Sequence, residues 1–211
     1  MMFKNICAFL LLLPALFGCR QNTPAEVAVE HDTWKSVNLF TVVYSNGDSI
    51  PKIEDAEQWL KADYGAYCNY YNSNDSIEIY GRLYNWYAVN DKRGLCPAGW
   101  HIPSKEEWER LSNYFGGDPD AGKHLKGSRL WLPGDHEGDN SSRLNFVPGG
   151  NRKADGTYNG KGSSAPLWTS DDLDSLNAWG RFLNKNHYHL GIKSGDKRNG
   201  LGCRCIQNVR N

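Results

Sequence analysis

GLCPAGWHIPSKEEWERL, residues 94–111, is the stretch on which the reading of this fold turns. It sets Cys96, His101, Glu106 and Glu107 close together. Such a set reads as a metal site, as a Cys/His nucleophile pair, or as the braced entrance of a helix. A zinc site needs three or four ligands, usually from closely spaced pairs, and no second pair lies nearby. His187 and His189 in HYH could share a strand face, but His124 and His136 stand alone. A nucleophile pair needs a free thiol of depressed pKa. The helix reading has more support. Ser104 and Glu107 have capping-box spacing, and Pro103 halts any earlier helix. Trp108, Leu111 and Phe115 then form one apolar stripe, and Gly116-Gly117 end it. A helix over 104–115 is expected, with His101 packing its ring at the entrance or bonding a backbone carbonyl.

The chain around this stretch has 211 residues and a formal net charge of zero. Its cations are scattered among acids, which argues against a nucleic-acid partner. Lys4 followed by the apolar run ICAFLLLLPALF, residues 6–17, reads as a signal peptide too short to span a bilayer. It ends on LFGC, residues 16–19, which resembles a bacterial lipobox with Cys19 as the lipid-attachment residue, although Phe17 is uncommon at its position there. Two acyl chains on Cys19 would anchor the chain to membrane. Residues 1–18 are therefore expected to be a lipoprotein leader, 19–37 a lipid-anchored tether, and 38–211 one domain. That places the protein in the bacterial cell envelope, exported and anchored at the outer membrane. Cys68, Cys96, Cys203 and Cys205 then remain, and export favours disulfides among them. Four cysteines allow three pairings. Cys203 and Cys205 are unsuited to pair with each other, since on a strand they point to one face with only Arg204 between.

Along the domain, LFTVVY (39–44) reads as a strand and SNGDS as its turn. IEDAEQWLKADYG (53–65) reads as a helix with Ala56, Trp59 and Leu60 on one side and Gly65 as its stop. IEIYGRLYNWYAV (77–89) could be strand or helix. DPDAGKHLKG reads as a second short helix. Beyond residue 127, Gly, Asn and Asp breakers separate short apolar runs. NAWGRFL, HYHLGIK and GLGCRCIQNV read as closing strands. The pattern is α+β, with helices early and an antiparallel sheet late.

YGRLYNWYAVNDKRGLCPAGWHIPSKEEW, with NGDSIP, GAYCNYYN, AGKHLK, PGGNRKADGTYNGKG, LWTS, AWGRFL and CRC in that order, resembles the Fibrobacter succinogenes major paralogous domain over residues 40–207. HIPSKEEWERL is also similar to the RLPTEAEWE signature of formylglycine-generating-like proteins. The resemblance implies a C-type-lectin-like fold: two or three helices, a twisted antiparallel sheet, long loops and disulfides. It carries no activity across. The chain departs from the family where it reads LNFVPGG, LWTSDD and GCRC, so Cys203 is an extra cysteine. By that match, Cys96 is implied to pair with Cys205, which leaves Cys68 for Cys203.

Function then falls to the loops. Calcium wants six to eight oxygens, and DGTYNG (155–160), GDHEGDN (134–140) and DDLD (171–174) are oxygen-rich. Asp155, Asp171, Asp172 and Asp174 are the calcium candidates. No EF-hand spacing and no lectin triplet is present, and hairpin turns use the same residues. No other cofactor is expected. Trp131, Tyr158, Trp168 and Trp179 are candidate platforms for a glycan or envelope-protein ligand. Trp59, Trp86, Trp100 and Trp108 read as core. The expected function is a non-catalytic binding or adhesion module, with no catalytic residue. The alternatives are a structural part of an envelope or pilus assembly, and an enzyme of the formylglycine-generating-like fold. A free Cys203 or Cys205 would favour the enzyme.

Overall fold

Ser104 does cap a helix, and the rest of the molecule is arranged around it. In a computed structural model of the chain, which describes residues 26–208, that helix runs Lys105–Tyr114. Both halves of the capping box form: Glu107 N donates to Ser104 Oγ (3.2 Å), and Ser104 N donates to Glu107 Oε2 (2.7 Å). Trp108 and Leu111 are buried, as the stripe requires. The leader, Cys19 and the first part of the expected tether lie outside the described residues.

The capped helix is the fourth of five α-helices among the described residues: α1 (Ala56–Lys61), α2 (Ile77–Tyr80), α3 (Trp86–Val89), α4 (Lys105–Tyr114) and α5 (Ala121–Leu125). Only α4 exceeds two turns, so the described chain has more and shorter helices than the two or three expected. The strands are β1 (Glu26–Val29), β2 (Asp32–Lys35), β3 (Tyr67–Cys68), β4 (Leu83–Tyr84), β5 (Trp100–His101), β6 (Gly149–Arg152), β7 (Tyr158–Lys161), β8 (Ser164–Asp172), β9 (Asn177–Asn184), β10 (His187–Asp196) and β11 (Ile206–Gln207). They form a four-stranded sheet ordered β1-β2-β11-β5, a three-stranded sheet ordered β10-β9-β8, and two hairpins, β3-β4 and β6-β7. Every strand pair is antiparallel. The class is α+β.

The tether reading fails from residue 26 onward. β1 and β2 pair along their whole length, from Glu26 opposite Lys35 to Val29 opposite Asp32. Val27, Val29 and Trp34 enter the main core with Trp108, Leu111, Phe146 and Ile206. Trp34 lies edge-on to Trp108 at 5.0 Å. Polar residues outnumber apolar ones here, but EVAV alternates with period two, and Trp34 is a large, fully buried aromatic. Arg204, also fully buried, ties this segment to the C-terminus. Its guanidinium donates to Lys35 O (2.9 Å), Leu144 O (2.7 Å) and Asn38 Oδ1 (2.8 Å). Burial without a carboxylate pushes its pKa down to about 9.

Two strand readings also change. LFTVVY makes no ladder beyond a bridge from Val43 to Ser49. Its backbone partners come from separate segments: Leu39 N donates to Cys203 O, and Tyr84 Oη donates to Thr41 O. No single neighbouring strand runs alongside it. GLGCRCIQNV narrows to β11, its earlier residues Gly200, Leu201 and Gly202 making only isolated bridges to Arg152, Tyr84 and Leu167. The ambiguous 77–89 stretch resolves into α2, β4 and α3. In α1, Trp59 is buried while Leu60 faces out, and Ala62 rather than Gly65 closes the helix.

Cys96 and Cys205 form a disulfide across 109 residues of sequence. Cys68 and Cys203 do not pair: both are free and buried. They sit in different apolar clusters, Cys203 with Tyr84 and Trp86, Cys68 with Trp59 and Leu83.

Candidate functional site

The three-stranded sheet carries a cleft whose lining mixes polar and apolar residues. Its register sets Trp168 opposite Gly180, Gly180 opposite Lys193, and Phe182 opposite Gly191. Side chains alternate across a sheet, so one face carries Pro166, Trp168, Gly180, Phe182, Gly191, Lys193 and Gly195. Three of these are glycines: Gly180 and Gly195 line a hollow, while Gly191 is covered by the Phe182 ring. A Cβ on Gly180 would stand 2.9 Å from Leu167 O, and one on Gly191 would run into the Phe182 ring, which lies flat against that glycine. The cleft above has a volume of about 450 Å³. Asn151, Ser164, Ser194 and Asn199 line it with Phe182 and Lys193. No carboxylate does. The one other lining cation, Arg181, is bound to Asp118 at 3.0 Å, whereas Lys193 is exposed and unpaired among the described residues.

Of the four aromatic candidates, only Trp168 borders this cleft, and it is a wall rather than a platform. It is fully buried, and its indole donates to Tyr84 O (2.8 Å). Trp131 is half-buried, donates to Phe146 O (3.1 Å), and lines a separate small cavity of about 70 Å³ with His136. Tyr158 packs in a tyrosine cluster, 5.2 Å from Tyr70 and 5.1 Å from Tyr71, and its hydroxyl donates to Asn72 Oδ1. Burial and the neighbouring Cys68 raise its pKa. Trp179 lies under the Lys105 ammonium at 4.7 Å. Trp59, Trp86 and Trp108 are core, while Trp100 is half-buried beneath Lys35.

The four aspartates are not gathered either. Asp155 accepts from Thr157 N and Oγ1, closing its own turn. Asp174 accepts from Leu176 N and Asn177 N. Asp172 faces Lys197 at 3.5 Å. Asp171 has a role the sequence did not suggest: its Oδ2 accepts from Lys105 N (2.6 Å) at the first turn of α4. Among the described residues, no three His, Cys, Asp or Glu side chains converge to hold a metal.

The opening stretch holds one end of the disulfide and the capped start of α4. His101 Nε2 bonds Glu107 Oε1 (2.8 Å) and its Nδ1 bonds Asn208 Oδ1 (2.6 Å), so its partners are side chains rather than a backbone carbonyl. The Glu107 hydrogen bond raises the His101 pKa against the opposing effect of burial. Cys203 is free, but burial pushes its thiol up, and Cys68 likewise. Neither has the exposure and depressed pKa of a nucleophile.

Sequence reasoning missed Lys126. It is fully buried, and its ammonium donates to His136 O (2.7 Å), Asn184 O (2.9 Å) and His187 O (2.9 Å). Burial pushes its pKa down to about 8. Three donors meet three acceptors, so it clamps the 136 loop to the β9-β10 turn. Asn151, Phe182, Lys193 and Asn199 were missed as well. The available signal was the glycines inside AWGRFL and HLGIKSG, since strand-interior glycine marks a hollow or a close approach.

A family model described as the Fibrobacter succinogenes major domain matches residues 27–207. The chain belongs to that family. The match begins at 27, inside β1, so the Fibrobacter succinogenes major domain takes in the first hairpin. No curated protein and no solved structure matches the chain. Among the described residues no helix is long and apolar enough to cross a membrane.

Proposed function

We propose that this protein is a lipid-anchored, non-catalytic binding module of the bacterial cell envelope, with a C-type-lectin-like fold, that takes a saccharide in the cleft above β8-β10. The observation that carries this is the cleft itself: a hollow of about 450 Å³ floored by strand glycines, lined by two aromatic residues, Trp168 and Phe182, and by Asn, Ser and Lys residues. Polyhydroxylated rings suit such a lining, since amides and hydroxyls both donate and accept, and aromatic faces pack against sugar C–H groups. The two free thiols support the non-catalytic reading, being buried with raised pKa values. No carboxylate lines the cleft, so saccharide binding there does not call for calcium, which binds through oxygen ligands such as Asp and Glu.

The alternative, an envelope-protein role including a structural place in an envelope or pilus assembly, rests on the exposed apolar run Phe40, Val42 and Val43, a kind of patch that marks either a protein or a membrane contact. A glycan array in calcium and in chelator, run beside pull-down of envelope proteins, separates the two. Saccharide binding insensitive to chelator supports the cleft reading. A captured envelope protein without saccharide binding supports assembly.

A further inference from the structure

Residues 37–43, just after β2, line an apolar groove of about 410 Å³. Val37, Leu39, Phe40, Val42, Val43 and Pro97 line it. Phe40, Val42 and Val43 are each about 40% exposed, on a run with no strand partner beyond one bridge. A contiguous exposed patch of this kind marks a protein or membrane contact. The charged residues lining it are both cations, Lys35 and Arg82.

Two facts identify the occupant. The first is where the chain enters the fold. Glu26 pairs with Lys35 in the β1-β2 ladder and accepts from its ammonium (2.7 Å), so the entry point lies beside a groove-lining residue. The second is reach. Cys19 stands seven residues before Glu26, and seven extended residues span at most about 25 Å. An acylated Cys19 therefore holds this face close to the bilayer.

We propose that the 37–43 groove is the face the protein lays on the lipid surface, with Phe40, Val42 and Val43 entering the interface and Arg82, which has no carboxylate partner among the described residues, meeting anionic headgroups. This rests on the lipid-anchor part of the proposed function. It gives the exposed run a cover that the fold itself does not supply, and it turns the face to the membrane without an amphipathic helix.

The test compares amide hydrogen exchange in the lipidated full chain, reconstituted on phosphatidylethanolamine–phosphatidylglycerol vesicles, with the mature Cys19→Ser chain free in solution. Exchange across 37–43 should slow about tenfold on vesicles, while the cleft-side loop at 172–176 stays unchanged. A Phe40→Asp, Val42→Asp chain, both sites being exposed, should lose that slowing while keeping the same circular dichroism. Phosphatidylcholine vesicles should give a smaller effect. Unchanged exchange at 37–43 overturns the proposal. So does slowing in the free chain that grows with protein concentration, which would make the groove a contact between copies. Mass spectrometry of Cys19 tests the anchor separately: an unacylated Cys19 removes that reading whatever the groove does.

Discussion

His101 and Glu107 meet at the entrance of α4 as a half-buried pair, and that contact sets a pH dependence. The folded state raises the His101 pKa above its ordinary value. The stabilisation is thus fully present below about 6.5, the ordinary value, and is lost as pH rises through the higher folded value. His101→Gln should lower the melting temperature more at pH 5.5 than at pH 8.5, which a thermal scan across that range checks. Ser104→Ala should cost about 1 kcal/mol by urea titration at any of these pH values, because it removes the cap acceptor rather than a charge. At this scale the sequence was readable where the partner lies a few residues away. Ser104, Glu107 and Trp108 were legible because helix caps and stripes are local. Asp171 was not: its partner, Lys105 N, lies 66 residues off. An aspartate in DDLD looks the same whether it waits for calcium or caps a distant helix.

The first hairpin is the element whose reading changed most. A polar N-terminal run carrying one tryptophan looks like a tether, yet that tryptophan fills the centre of the main core against Trp108. Trp34→Ala should therefore destabilise the domain by about 3–5 kcal/mol. A chain beginning at residue 38 should not give a cooperative melting transition. The converse error was LFTVVY, whose composition suits a strand but which has no neighbour to pair with. Strand propensity reports fitness for a half-buried pleated surface and cannot supply the partner. The site elements divide in the same way. Two strands of the three-stranded sheet, β9 and β10, were legible as NAWGRFL and HYHLGIK, whereas β8 was not singled out from the breaker-rich region beyond residue 127. The cleft above them depends on register, which sets Gly180 beside Lys193 and Phe182 over Gly191.

Across the whole molecule, the Cys96–Cys205 bond closes most of the described chain into one loop. In the chain-entropy model a loop of that length is worth about 4–5 kcal/mol. Alkylation of the denatured, non-reduced chain followed by mass spectrometry should label Cys68 and Cys203 and leave Cys96 and Cys205 untouched. Adding reductant first should label all four and lower the melting temperature. The long-range bond was implied by the family match, whereas the second bridge was an inference from leftover cysteines, and packing puts those two in separate clusters. The same scale governs function. The reactive-looking stretch at 94–111 holds the disulfide and the capped helix, and the candidate cleft opens on the β8–β10 sheet, which begins at Ser164. The decisive measurement is a glycan array of the mature chain beside an Asn151→Ala, Lys193→Ala variant, two cleft-lining positions outside the core. The account predicts that the wild-type chain retains at least one saccharide class in chelator, and that the variant, equally folded, binds it at least about tenfold more weakly, the effect of losing one or two net hydrogen bonds. Absence of any saccharide binding, or equal binding by the two chains, would contradict it.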